Sequence, residues 1–178
     1  SAASDVYKRQ RSGCFARSAQ DDKIMIGDRH FIRIALEEAE MGYKRGEVPV
    51  GAVITLGGDI LAKAHNSSIL MEDPTAHAEI MAIRRAGARV GNYRLLGTTL
   101  YVTLEPCIMC AGAIIQARIS RVVFGAPDPK NGAVTSLYNV FDDKRLNHSV
   151  EVTGGVLKKK CGEILSRFFQ EKRVMSTS

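Results

Sequence analysis

Two short segments hold side chains able to do chemistry together: His77-Ala78-Glu79 and Pro106-Cys107-Ile108-Met109-Cys110. Cys107 and Cys110 are three residues apart, so in one helical turn both thiolates can face a single point. A helix N-terminus also favours the thiolate form through its dipole. One His and two Cys, with one water, complete a tetrahedral zinc shell. Three protein ligands and an open fourth position are the catalytic arrangement rather than the structural one. One zinc per chain would lower the pKa of a water ligand from about 15.7 to about 7, giving a nucleophile at neutral pH. Glu79, two residues beyond the histidine, is placed to carry protons between nucleophile, substrate and leaving group.

Each piece alone has a plainer explanation. A C-x-x-C can be a buried Cys pair or a structural zinc site. A His at a helix start is commonly an ordinary polar contact, and a Glu in a first turn commonly offsets the helix dipole. The joint pattern, H-x-E followed by P-C-x-x-C, is the signature of zinc nucleobase deaminases.

Periodicity gives the elements that must position these residues. Asp28 is an acceptable N-cap for a helix in which Phe31, Ile34, Ala35, Glu38 and Ala39 keep helical spacing, stopping near Gly46. Val50 to Leu56 reads as a strand, Gly57-Gly58 as a hairpin turn and Asp59 to His65 as a second strand. Asp73-Pro74-Thr75 leads into a helix from Ala76 to about Ala88. Thr99 to Leu104 is a third strand, and Pro106 suits the first turn of a helix over Cys107 to Ala117. Arg121 to Gly125 and Val150 to Thr153 read as strands four and five. Leu157, Cys161, Ile164, Leu165 and Phe168 mark a C-terminal amphipathic helix. Strands alternating with helices predict an α/β layered domain with helices on both sheet faces; spacing does not give the strand order.

The 178 residues suit one domain with a real core, and 45% hydrophobic with 25% charged residues is a globular balance. No apolar run approaches the roughly 18 residues of a membrane span, so no membrane partner is expected. The net charge of +6 is compatible with a polyanionic partner without establishing one. Cys14, Cys107, Cys110 and Cys161 do not read as a disulfide framework, and with no secretory apolar segment a reducing cytoplasm is the expected location. Residues 1–24 are expected to be a non-native or disordered extension, with Met25 a candidate initiator and 25–178 the catalytic domain. Ser1 to Gln10 look like the translation of a sequencing-library adapter. A transit peptide would also be basic, but Asp5, Asp21 and Asp22 are out of place in one.

The stretches Glu47 to Val53, Asp73 to Ala82 and Leu100 to Ala113, with Asn92-Tyr93-Arg94-Leu95, Arg121 to Ala126, Asn147-His148 and Phe168-Phe169, resemble bacterial tRNA adenosine deaminases of the TadA type, within the cytidine/deoxycytidylate deaminase superfamily. The resemblance runs from about Asp28 to about Arg173. It implies a three-layer α/β/α cytidine-deaminase-like fold with a five-stranded mixed sheet, and a homodimer. It implies zinc held by His77, Cys107 and Cys110, and Glu79 as proton shuttle. Asn66 would hydrogen-bond a flipped nucleoside, and Glu47, Val48 and Pro49 would line the pocket mouth. Asp128 would meet the sugar next to the target base through a 2′-hydroxyl, and Lys130 would contact a phosphate. Phe169 and Arg173 would pack on an anticodon loop. Plainer roles exist for these: a turn residue for Asn66, a helix-to-strand connection for Glu47 to Pro49, solvated loop charges for Asp128 and Lys130, a core position for Phe169. Pro127 and Pro129 depart from the familiar pattern and stiffen the loop around Asp128.

The reaction implied is hydrolytic deamination of adenosine to inosine in RNA, at the wobble position of a tRNA anticodon, by a hydrolase acting on a cyclic amidine C–N bond. A free-base or nucleotide deaminase, acting on guanine or cytosine, would share the zinc motif. A silent RNA-binding subunit with a structural zinc is a third reading, and an intact Glu79 argues against it.

Overall fold

The computed structural model describes residues 19–176; Ser1 to Gln10 and Cys14 lie outside them. Helix α1 (Ala19–Lys44) leads into strands β1 (Gly51–Leu56) and β2 (Asp59–His65), joined by the Gly57-Gly58 turn. Both glycines adopt positive φ, at 59° and 92°, as a tight hairpin requires. Helix α2 (Ala78–Val90), β3 (Thr98–Leu104), α3 (Ile108–Gln116) and β4 (Arg121–Ala126) follow. A 3-10 turn (Val140–Asp142), β5 (Glu151–Thr153) and α4 (Lys158–Ser176) complete the chain.

Asp28 does not cap α1. The helix passes through it, and its carboxylate takes a bidentate pair from Arg121 at 2.7 and 2.8 Å. A capping side chain serves its own helix end; this one is 1% exposed and holds α1 against β4. Pro106 likewise stands ahead of α3, whose N-cap is Cys107.

The sheet order is β2-β1-β3-β4-β5. β1 pairs antiparallel with both β2 and β3, whereas β3–β4 and β4–β5 are parallel. Side chains alternate between faces with the period of two that a strand imposes. Ala52, Ile54, Leu100, Val102, Val122 and Phe124 pack with Ala78, Ala82, Ala111 and Ile114 of α2 and α3. Val53, Tyr101 and Val123 pack on the other face with Ile32 and Ala35 of α1 and Cys161 of α4. The fold is therefore three-layered, helices over both faces of a five-stranded mixed sheet. Gly51 allows the closest contact, because a Cβ there would collide with the backbone of Ala35.

The strand directions decide where a site can form. β3 and β4 run one way, so their C-terminal ends, at Leu104 and Ala126, lie on the same sheet edge. β1 runs against β3, which brings its beginning to that edge, and β2 runs against β1, which brings its end there too. Val48 and Val50, Asn66, Glu105 and Asp128 all flank one edge as a result. It is the carboxyl edge of the parallel strands, where open α/β sheets bind ligands.

Candidate active site

A cleft of about 1480 Å³ opens at that edge. At its buried end stand the two segments that carry the chemistry. His77 is the N-cap of α2 and Cys107 the N-cap of α3, each in extended conformation and neither spending its side chain on capping. The orphan N–H of Ala78 is satisfied instead by Asn66 Oδ1 at 2.8 Å. Two helix N-termini thus point their positive ends at one place while the cap side chains stay available as ligands.

The ligands converge. His77 Nδ1 lies 3.7 Å from Cys107 Sγ and 3.6 Å from Cys110 Sγ, and all three ligand atoms lie within 4.8 Å of one another. A tetrahedral zinc separates its nitrogen and sulfur ligands by about 3.5 Å, given bond lengths of about 2.0 and 2.3 Å. The donor set fits that ion in type, number and spacing. Hydrogen bonding with Cys110, then the imidazole of His77, pulls the Cys107 thiol down to about 4 against burial. The same hydrogen bond and burial push Cys110 up, and the bond to Cys107 raises His77. Three donors this close must share protons or a cation.

Glu79 lies in the first turn of α2, two residues beyond His77, 4% exposed and lining the cleft. Burial pushes its carboxyl up to about 7. A carboxyl poised near neutrality can take a proton and return it in one cycle, which is what general acid–base work requires.

A family model for the cytidine and deoxycytidylate deaminase zinc-binding region matches residues 25–126, a span that contains His77, Glu79, Cys107 and Cys110. The tRNA-specific adenosine deaminase of Haemophilus influenzae is 51% identical over 158 residues, 88% of this chain and 87% of that protein. The chain belongs to the cytidine and deoxycytidylate deaminase family, among its tRNA adenosine deaminase members. The Bacillus subtilis tRNA-specific adenosine deaminase is 47% identical, covering 84% of this chain and 92% of its own. A solved structure from a study of A-to-I editing by tRNA:A34 deaminases superposes with TM-score 0.74 at 47% identity, over 76% of this chain and 99% of that one. A guanine deaminase from Nitrosomonas europaea superposes at 0.69, over 79% of this chain and 83% of that one, but is only 21% identical and shares the fold alone.

The remaining expected residues of this deaminase fall into two groups. Asn66, Val48, Asp128, Lys130, Phe169 and Arg173 all line the cleft. Asn66 has its Oδ1 committed to Ala78, so its NH₂ group is what remains for a ligand. Phe169 stands 47% exposed while Phe168 is buried against Tyr43, so the two neighbouring rings divide between cleft and core. Glu47 and Pro49 are buried outside the cleft lining. Both oxygens of Glu47 accept backbone N–H groups, from Leu70 at 2.7 Å and Ile69 at 3.2 Å, which fixes the 67–72 loop.

Glu105, between the third strand and Pro106, has no role in the sequence reading. It is 2% exposed and lines the cleft. Burial would raise its carboxyl, but hydrogen bonds from Ser136, Thr135 and Asp128 outweigh it and hold the group below the usual carboxylate range. The available signal was a charge wedged between an apolar strand and an apolar helix, where burial demands partners. The Leu165 and Gln170 wall of α4 was also missed.

Proposed function

We propose that this deaminase hydrolyses adenosine to inosine within RNA, at the wobble position of a tRNA anticodon. The observation that carries the reading is the shape of the cleft around the deaminase centre. Its volume exceeds the roughly 300–1000 Å³ of small-molecule pockets. From half-buried His77 and Cys107 and buried Glu79, with Cys110 buried beside them, it extends to an exposed wall with Lys130, Phe169 and Arg173. A free base would leave that wall without work, and a nucleotide loop uses it: cations meet phosphates and an exposed ring stacks on a base. A guanine or cytosine deaminase is not favoured, because the guanine deaminase likeness reaches no further than the fold.

Zinc, when held by His77, Cys107 and Cys110, supplies the Lewis acidity that makes water nucleophilic at neutral pH. Glu79 takes a proton from the attacking water and donates it to N1 of the purine as C6 is attacked. It then takes the proton of the new C6 hydroxyl and passes it to the departing amine, so that adenosine and water give inosine and ammonia. Asn66 orients the flipped nucleoside through its amide. Asp128 Oδ1 closes its own turn by accepting from Lys130 and Asn131 N–H at 3.0 and 3.2 Å, so the neighbouring 2′-hydroxyl falls to Oδ2. Val48 walls the pocket, with Glu47 and Pro49 supporting it from behind.

The enzyme is read as a homodimer with its catalytic domain starting at residue 25. Ile69 and Leu70, 65% and 67% exposed on the loop that Glu47 fixes, offer apolar surface for a second copy. Three free cysteines among the described residues suit a cytoplasmic setting, and among those residues no helix is long and apolar enough to cross a membrane. Incubation with an anticodon stem-loop RNA bearing wobble adenosine should yield inosine at that position. Turnover of free adenosine or guanine with none of the RNA would overturn the assignment.

A further inference from the structure

Glu105 gathers donors from one stretch of chain that is remote in sequence. Oε1 accepts the backbone N–H groups of three successive residues, Val134 at 3.1 Å, Thr135 at 2.7 Å and Ser136 at 2.9 Å, with Thr135 Oγ1 at 3.3 Å. Oε2 accepts the N–H of Asp128 at 3.0 Å and the hydroxyl of Ser136. The carboxylate therefore ties both ends of the 128–136 segment to the end of β3. The prolines sharpen this arrangement. Pro127 and Pro129 have no N–H to offer, so Asp128 carries the one donor among the three, and that donor goes to Glu105. Space is equally tight. A Cβ on Gly132 would run into the Glu105 carboxyl and the Asp128 carbonyl. Gly132 also bridges to Cys107, and Ala133 N–H donates to Pro106 O at 2.9 Å.

We infer that Glu105 is a positioning residue for substrate recognition: its carboxylate holds the Asp128–Lys130 wall in its RNA-binding shape before RNA arrives. The inference rests on the RNA reading of the cleft. A segment ordered in advance spares the complex the conformational entropy of ordering it on binding. A neutral amide cannot do the same work. Gln offers one acceptor oxygen, and its NH₂ would confront either the Asp128 N–H and Ser136 hydroxyl or the three N–H groups at Oε1. Released donors let the wall open while His77, Glu79 and Cys110, carried by α2 and α3, keep their places. The residue thus acts on binding rather than on the chemical step.

The test uses the full chain with zinc loaded. Glu105→Gln should raise KM for an anticodon stem-loop RNA about tenfold, the scale of losing a charge-assisted hydrogen bond, with kcat at saturating RNA within about threefold of wild type. RNA dissociation constants should rise in parallel. Hydrogen exchange should quicken at Asp128 and Val134 to Ser136 and stay unchanged in β1 and β3. Ser136→Ala, which removes one donor and leaves the carboxylate in place, should give the same pattern more weakly and guards against a misfolded Glu105 variant. Unmoved KM and exchange in a zinc-replete Glu105→Gln would overturn the inference, and so would a fall in kcat with KM intact. Loss of zinc from both variants would overturn it as well, since Glu105 would then serve the metal end. Failure of the wild-type enzyme to deaminate the RNA would instead sink the substrate reading.

Discussion

At the buried end of the cleft, His77, Glu79, Cys107 and Cys110 stand on two helix N-termini, with ligand atoms held within 4.8 Å. At the exposed end, Asp128 and Lys130 come from a loop and Phe169 and Arg173 from the last helix. The buried end is specified locally: a cap, a first turn and the side chains they aim. The exposed end has no such local rule and depends on remote tethers such as Glu105. Chemistry needs atoms fixed to fractions of an ångström, which helix starts provide. Recognition of a nucleotide loop needs reach and charge, which a braced loop and a helix face provide.

This contrast can be broken most forcefully at the metal. Cys107→Ala and Cys110→Ala should each lose most of the zinc, with a stability loss of order several kcal/mol, because thiolate ligation contributes folding energy. Metal analysis and thermal melting check this; full zinc in both variants would dissolve the buried end as a metal centre. Next in size is Glu79→Ala, expected to cut kcat by about 10²- to 10⁴-fold with zinc and RNA affinity kept. A drop of less than about tenfold in single-turnover assays would remove the proton shuttle.

The exposed end should respond more gently and in binding. Asp128→Asn should narrow the preference for an RNA hairpin over its DNA counterpart by roughly tenfold, as a charge-assisted hydrogen bond to a 2′-hydroxyl is weakened. Matched hairpins in single-turnover assays measure it, and an intact preference would take Asp128 out of the recognition wall. The smallest effect belongs to Lys130→Ala. The slope of log affinity against log salt should fall by about 0.7, one phosphate contact on a single strand. An unchanged slope would leave Lys130 a bystander.

The sequence by itself determined the candidate metal ligands and most of the elements that carry them. Cys107 and Cys110 announce a shared metal because three residues is nearly one helical turn, and His77 and Glu79 follow from the motif that accompanies them. Strands alternating along the chain with helices implied a sheet covered on both faces. Strand order, by contrast, was decided only in three dimensions. The parallel β3 and β4 place Glu105 and Asp128 at one edge, the antiparallel β1 and β2 bring Val48 and Asn66 to it, and no local pattern records which way a strand runs in its sheet. The buried carboxylates were equally illegible. Asp28 reads as a helix cap until Arg121, 93 residues away, takes it. Glu47 and Glu105 are satisfied by backbone N–H groups of distant loops. Nearly every residue carries such a donor, so nothing in a side-chain sequence marks those that a buried carboxylate will choose.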